Sequence, residues 1–159
     1  MRSQDLDKIV VGVGVGKMGQ NAQFEATYLP EITKDLSAIT GQKPQTRPAK
    51  KSIAGFKLRE GSLVGLKVTL RGKRMQDFLY RMANIALPRV RDFRGINPRQ
   101  IDREGNLTIG FRDHSVFPEI IPEESKADFG FQVTLVSKVN DPIKAKELFE
   151  KLGIPFSKE

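Results

Sequence analysis

Leu66-Lys-Val-Thr-Leu-Arg71 alternates apolar and polar side chains, which is the two-residue period of a β-strand with one buried face. The apolar positions predict contact with a core, whereas the opposite face presents Lys67, Thr69 and Arg71. Gly72 follows at once and leads into a helical stripe of apolar residues. The stretch therefore predicts a half-exposed strand with a cationic, hydroxyl-bearing outer face, followed by a core-facing helix.

Strands and helices are mixed along the rest of the chain, which favours an α+β domain of two layers. Lys8 to Val15 is a short β-branched run and predicts a first strand. The apolar spacing from Asn21 to Ile39 predicts a helix that Pro30 kinks or splits and that Gly41 ends. The remaining predicted elements are a short strand at Gln45–Arg47, a helix from Gly72 to Pro88, strands at Leu107–Phe111 and Phe129–Val139, and a helix from Pro142 to Lys151 capped by Asp141.

Composition excludes several classes of protein. The chain has 159 residues, enough for a single domain spanning 1–159, and its 38% hydrophobic and 29% charged residues are typical of soluble globular proteins. It has no apolar run long enough to span a membrane, and its N-terminus lacks the apolar core of a signal peptide, so we expect a cytoplasmic location. The absence of cysteine excludes disulfides, thiol nucleophiles and cysteine-ligated metals, and a single histidine, His114, excludes a multi-histidine metal site within one chain.

Positive charge is concentrated in the middle of the chain. Residues 41–103 contain sixteen Lys and Arg against four Asp and Glu, whereas the two ends together are net negative. A merely soluble surface would mix the two signs, so this concentration indicates a polyanion partner and favours nucleic acid. Within the segment, residues 42–65 contain glycines, prolines and cations but few large apolar side chains, which predicts a long exposed loop after the short strand.

Gly14-x-Gly16-x-x-Gly19 lies between a predicted strand and a predicted helix and matches the dinucleotide-binding fingerprint as a pattern. That fold also needs a second parallel strand with an acid about twenty residues on, but Glu31 and Asp35 lie in helix-periodic sequence. Tight-turn and close-packing glycines are the favoured interpretation, and a nucleotide-binding enzyme that uses this turn is the alternative. Asp113 and His114 do not indicate a catalytic dyad, because neighbouring strand residues point to opposite faces. We therefore expect a protein that is not an enzyme and needs no cofactor.

Six motifs follow one another in a fixed order. They are Gly41-Gln-Lys-Pro44, Lys50-Lys-Ser-Ile-Ala-Gly-Phe-Lys57, Lys67-Val-Thr-Leu-Arg-Gly72, Pro88-Arg-Val-Arg-Asp-Phe-Arg-Gly95, Gly105-Asn-Leu-Thr-Ile-Gly110 and Phe117-Pro-Glu-Ile120. Each motif is weak by itself, but the ordered set closely resembles the bacterial-type large-subunit ribosomal protein five family, which binds 5S rRNA. The resemblance extends from about residue 8 to Phe156.

This resemblance implies an α+β fold whose antiparallel sheet docks on 5S rRNA and joins it to 23S rRNA in the central protuberance. It also implies contacts with the P-site tRNA and with a small-subunit head protein across an intersubunit bridge. The expected 5S rRNA-binding residues are Gly14, Gly16, Gln42, Lys43, Arg47, Lys67, Thr69 and Arg71. The expected tRNA-contacting loop is the segment 54–61, with Ala54, Gly55, Phe56, Lys57, Leu58 and Arg59. The aromatic side chain of Phe56 could stack on a base or could equally anchor the loop by packing against the protein.

The chain departs from the family pattern at three places. Members usually begin with a helix before the first strand, whereas this chain starts almost at the strand, so the surface under that helix is expected to be bare, rebuilt or covered by another ribosomal component. The family's Asn at the end of the first strand is Gly12 here, which removes one expected polar RNA contact. Gln45 and Arg47 replace an aliphatic and a small hydroxyl residue; Gln45 is expected to reduce local packing, and the added charge of Arg47 should not weaken RNA docking.

Overall fold

The computed structural model describes residues 6–14, 29–48, 63–91, 93–120 and 129–157. The strands are β1 (Leu6–Gly14), β2 (Gln45–Pro48), β3 (Leu63–Leu70), β4 (Leu107–Phe111) and β5 (Phe131–Ser137). The α-helices are α1 (Leu29–Thr40), α2 (Gly72–Arg81), α3 (Leu87–Arg89) and α4 (Pro142–Lys151). Short 3-10 turns occupy Pro98–Gln100 and His114–Val116.

The five strands form one sheet in the order β2-β3-β1-β5-β4, and every neighbouring pair is antiparallel. β1 lies at the centre, where Val11 pairs with Val68 of β3 on one side and with Val133 of β5 on the other. The predicted α+β class with an antiparallel sheet is therefore confirmed.

Only one face of the sheet is buried. In β3, Leu66, Val68 and Leu70 are at most 1% exposed, as the alternation of the sequence predicts. Phe78 of α2 and Phe149 of α4 are fully buried in the same core cluster as these strand residues. The intervening strand positions remain accessible to solvent, so the helices cover one face of the sheet and leave the other open.

Helix α1 begins at Leu29, and Pro30 is its second residue. A proline in the first turn lacks an N–H that would have no helical partner there anyway, so Pro30 is compatible with this position in α1. Residues 21–28 of the predicted helix lie outside the described residues, so the predicted kink or split at Pro30 stays a prediction. Gly41 ends α1 as predicted, with a φ of +77° and with its N–H donated to the Ser37 carbonyl at 2.7 Å.

The predicted helix from Gly72 to Pro88 is confirmed and ends one residue later. α2 continues through a π-helical segment, Met82–Ala86, into α3, and the Leu87 N–H donates to the Met82 carbonyl five residues back. At the C-terminus, the Asp141 Oδ1 accepts the Ile143 N–H at 3.0 Å, which confirms the predicted cap of α4. β5 is shorter at both ends than predicted.

Candidate nucleic-acid interface

The solvent-facing side of the sheet, hereafter the open face, carries residues that the strand register arranges in rows, the two longest of which reach β4. Residues directly opposite each other in antiparallel strands point to the same side. The first row, from β2 to β4, is Gln45, Lys67, Gly12, Gln132 and Gly110. The second row, from β3 to β4, is Thr69, Val10, Thr134 and Thr108. Neither row contains an acidic or aromatic side chain.

The chemistry of the open face suits a sugar–phosphate partner. Lys67 supplies a cation, the two glutamines supply amides, and three threonines supply hydroxyls. The Oγ1 atoms of Thr108 and Thr134 lie 3.4 Å apart, so the two hydroxyls form one pair on the surface. Such groups bond phosphate oxygens and ribose 2′-hydroxyls, which are the parts of RNA that a flat protein surface can reach.

Gln42 is held at the edge of this face by two hydrogen bonds. Its Nε2 donates to the Thr69 carbonyl at 3.0 Å, and its Oε1 accepts from Arg74 Nη1 at 3.3 Å. The first bond exists because β2 pairs with β3 only as far as Lys67, which leaves the Thr69 carbonyl beyond the end of β2. Gln42 therefore links the open face to the start of α2.

Three cations surround the N-terminus of α2. Arg71 is the N-cap residue in an extended conformation, and Lys73 and Arg74 occupy the first turn, which contains no carboxylate. All three side chains are exposed. A helix N-terminus carries a partial positive charge, so each cation there costs the free protein about 0.3–1 kcal/mol unless an anion compensates. This arrangement favours a phosphate group as the compensating anion.

The positive charge of the central segment lies on the surface. Of its described cations only Lys67 and Arg81 are half-buried; the exposed ones are Lys43, Arg71, Lys73, Arg74, Arg89, Arg91, Arg94, Arg99 and Arg103. The Arg81 Nη1 lies 2.8 Å from Glu119 Oε1, so these two side chains form an ion pair. The other described cations of the segment produce a positive electrostatic potential at the surface, which can attract a polyanion.

The structure brings several of the predicted 5S rRNA-binding residues together. Lys67 and Thr69 lie on the open face, with Gln42 and Arg71 at its edge. Gly14 ends β1 opposite Gly65. Of the others, Lys43 is exposed two residues before β2, and the Arg47 backbone pairs with Gly65 within β2. Gly16 and the predicted loop residues Ala54, Gly55, Phe56, Lys57, Leu58 and Arg59 lie outside the described residues, as does the side chain of Arg47.

Sequence reasoning missed the far half of the open face. Thr108, Gln132 and Thr134 belong to strands that the sequence predicts, yet the concentration of positive charge does not extend to their outward positions. The alternation in β4 and β5 is the available signal, because the outward members of both strands are polar or glycine up to Thr134.

The nucleotide-binding alternative conflicts with the topology. β1 lies between β3 and β5 and is antiparallel to both, so no parallel strand can pair with it. The dinucleotide fold requires such a strand beside the first one. Glu31 lies in the first turn of α1 and Asp35 is buried in the same helix, away from the strand position that a ribose-binding acid needs.

His114 and Asp35 form a structural link. His114 Nε2 lies 3.1 Å from Asp35 Oδ2, both residues are buried, and the imidazole stacks on Phe129 at a centroid distance of 4.2 Å. Asp113 and His114 are not neighbours in a strand, contrary to the prediction, because His114 begins a 3-10 turn. The pair Asp35–His114 therefore fastens α1 to that turn.

Asp113 caps this turn from the surface. Its Oδ1 accepts the Ser115 N–H at 2.9 Å. This bond and the Ser115 hydroxyl, with a further contribution from the nearby His114, lower the pKa of the Asp113 carboxyl from its ordinary value against the opposing effect of burial. Within the described part of the chain, no group of acidic and histidine side chains has the arrangement of a metal site. Nor is any helix in that part both long and apolar enough to cross a bilayer.

Comparison with protein families divides the chain into two matching segments. Residues 1–59 match the family model described as ribosomal protein L5, and residues 63–156 match the model that describes the C-terminus of the same ribosomal family. Together the two segments include all five strands of the sheet.

Individual relatives match over nearly the whole chain. A protein from Pseudothermotoga lettingae, named large ribosomal subunit protein uL5, is 48% identical over 153 residues, which cover 96% of this chain and 81% of that protein. Proteins of the same name from Rubrobacter xylanophilus and Limosilactobacillus fermentum are 47% and 46% identical, covering 98% and 99% of this chain and 84% and 86% of their own lengths.

Proposed function

This chain belongs to the ribosomal protein L5 family of the large ribosomal subunit, and on that premise we propose that it binds 5S rRNA through the open face of its sheet. In this proposal residues 1–159 act as a single RNA-binding domain that has a structural role on the ribosome and catalyses no reaction. The protein helps to attach 5S rRNA to 23S rRNA in the central protuberance.

One observation carries the proposal: the open face offers hydroxyls, amides and Lys67 and is bordered by the cations at the N-terminus of α2. Helices cover the opposite face, so the open face is the broad surface on which a rigid double-helical partner can lie. The rows on that face hold no aromatic side chain on which a base could stack. Recognition of the ribose–phosphate backbone by shape and by 2′-hydroxyl contacts therefore fits this surface better than stacking of single-stranded bases.

The mechanism combines electrostatic attraction with local hydrogen bonds. Exposed cations attract the RNA and release counterions when they neutralise phosphates, which makes binding depend steeply on salt. Arg71, Lys73 and Arg74 would receive a phosphate beside the N–H groups of the α2 terminus. Thr69 would bond a phosphate or a 2′-hydroxyl, and Gln42 would keep the carbonyl of Thr69 and the guanidinium of Arg74 in place.

The remaining contacts follow from the family alone. We assign the segment 54–61 to the P-site tRNA, and we assign to the small-subunit head protein a contact across the intersubunit bridge.

The test compares 5S rRNA with an unrelated structured RNA of similar length in gel-shift titrations at increasing salt. Specific binding should persist for 5S rRNA at a salt concentration that abolishes binding of the control RNA. Equal binding of both RNAs, lost at the same salt concentration, would show a general polyanion binder and refute the proposal.

A further inference from the structure

Gly110 lies inside β4, and no feature of the fold around it requires a glycine. Its φ is outside the left-handed region, and a Cβ built on it would have no atom within 4 Å. The pairing of β4 with β5 runs without a shift from Leu107 to Phe111, so there is no bulge at Gly110 either. A glycine within a strand usually marks a bulge, a tight bend, or a place where another molecule approaches the backbone closely. The first two causes are absent at Gly110.

Other glycines of the chain show what such a requirement looks like. A Cβ on Gly65 would lie 2.7 Å from the Val13 carbonyl oxygen, and one on Gly130 would lie 2.8 Å from the Phe111 carbonyl oxygen. Packing thus requires glycine at these two positions, whereas Gly110, like Gly12 and Gly14 of β1, faces open space. Because glycine lowers the stability of a strand relative to alanine, the fold alone would favour a side chain at residue 110.

We infer that the RNA-binding surface extends across β5 to β4 and that Gly110 is a close-approach position, where the ribose–phosphate backbone of a duplex RNA lies directly on the polypeptide. This inference rests on the proposed function and deepens it, since it names the part of the RNA and adds residues outside the basic segment 41–103.

The neighbours of Gly110 supply the polar contacts. Gln132 is directly opposite Gly110 on β5 and is exposed, and Thr108 and Thr134 form the hydroxyl pair one row away. These groups can donate to phosphate oxygens and exchange hydrogen bonds with 2′-hydroxyls once the RNA backbone has come close enough. The first row continues from Gln132 through Gly12 to Lys67, so this area is continuous with the proposed 5S rRNA site.

Charge-neutral substitutions at residue 110 test the inference. Gly110→Ala and Gly110→Thr should leave the thermal midpoint unchanged or raise it by about 1–4 °C, because both residues suit a strand better than glycine does. The affinity for 5S rRNA should fall about tenfold for Gly110→Ala, which corresponds to the loss of one or two hydrogen bonds to the RNA. It should fall further for the larger side chain of Gly110→Thr. The salt dependence should not change, because no charge is altered. Ile143→Ala, at a 74% exposed residue of α4 on the helical side, is the control and should bind as the original chain does.

A second measurement does not depend on affinity. The chain has no cysteine, so Thr108→Cys provides a unique site for a tethered RNA-cleaving reagent, and Ile143→Cys provides the matching site on the helical side. Reagent at residue 108 should cut bound 5S rRNA at a defined position, and reagent at residue 143 should not.

The outcomes separate this inference from the proposed function. If the original chain binds 5S rRNA specifically while both Gly110 variants bind equally well, or if residue 108 directs no cleavage, the extension to β4 is refuted and the proposed function stands. If the original chain shows no preference for 5S rRNA, the proposed function fails and the inference fails with it.

Discussion

Arg71 and Arg81 provide a matched pair of substitutions, because each replacement by alanine removes one positive charge from the same stretch of chain. Arg71 is exposed at the edge of the open face, whereas the guanidinium of Arg81 is bound to Glu119 at 2.8 Å. We predict that Arg71→Ala weakens 5S rRNA binding and that Arg81→Ala does not.

The expected size of the effect follows from one lost phosphate contact. A charge-assisted hydrogen bond contributes about 1.5–3 kcal/mol, so the affinity should fall by about tenfold to a hundredfold. The slope of log K against log salt should become shallower by about 0.9, the contribution of one neutralised phosphate on a duplex. Arg81→Ala removes an ion pair whose side chains are 23% and 28% exposed, so it should change the free energy of unfolding by less than about 1 kcal/mol and leave the salt slope unaltered.

The assay is filter binding of transcribed 5S rRNA between about 50 and 200 mM salt, a range in which phosphate contacts change affinity strongly. Denaturant unfolding of each variant shows whether the fold is retained. An unchanged affinity and slope for Arg71→Ala, or equal losses for the two variants, would remove Arg71 from the RNA site.

Four further substitutions or deletions address other features. Phe117→Ala should lower the free energy of unfolding by about 3–5 kcal/mol, because Phe117 is fully buried, and a loss below about 1 kcal/mol in denaturant unfolding would contradict its place in the core. Gly12→Asn restores the polar residue that the family has at this position, which distinguishes residue 12 from residue 110, so gel shifts should show tighter 5S rRNA binding; weaker binding would mean that RNA backbone occupies the open space at residue 12 as well. Asp113→Asn should flatten the acid side of the profile of stability against pH, because the pKa of Asp113 in the folded protein lies below its ordinary value. The stabilisation is present above the ordinary pKa and is lost as the pH falls through the folded pKa; an unchanged profile in thermal melts would refute this. Deletion of residues 54–61 should leave 5S rRNA affinity largely intact while impairing tRNA placement on assembled ribosomes, and a loss of 5S rRNA affinity would show that the two surfaces are wrongly divided.

Local chemistry made much of the fold predictable. The alternation of residues 66–71 identified the buried and outward faces of β3, and the sequence Asp141-Pro142 located the start of α4, because each signal acts within a few residues. The start of α1 at Leu29 was less predictable, because the helical spacing of apolar residues continues on both sides of Pro30 and does not show where the helix begins.

The arrangement of the site depended on long-range pairing, which local patterns do not contain. The row that joins Gln45 to Gly110 exists only because β3, β1, β5 and β4 are neighbours in that order. The hydrogen bond from Gln42 to Thr69 likewise requires β2 to end before Thr69. Charge could therefore indicate a nucleic-acid partner, but it could not show that one open face continues from β2 to β4.

The central position of β1 has a consequence for synthesis of the chain. β1 is the first strand to be made, yet its neighbour β5 is separated from it by more than a hundred residues of sequence. Pairings this distant close large loops and slow folding relative to local contacts. Both rows of the open face cross β1 and β5, so neither is complete until nearly the whole chain has left the ribosome that makes it. On the proposed function, a nascent fragment therefore lacks the complete RNA-binding surface.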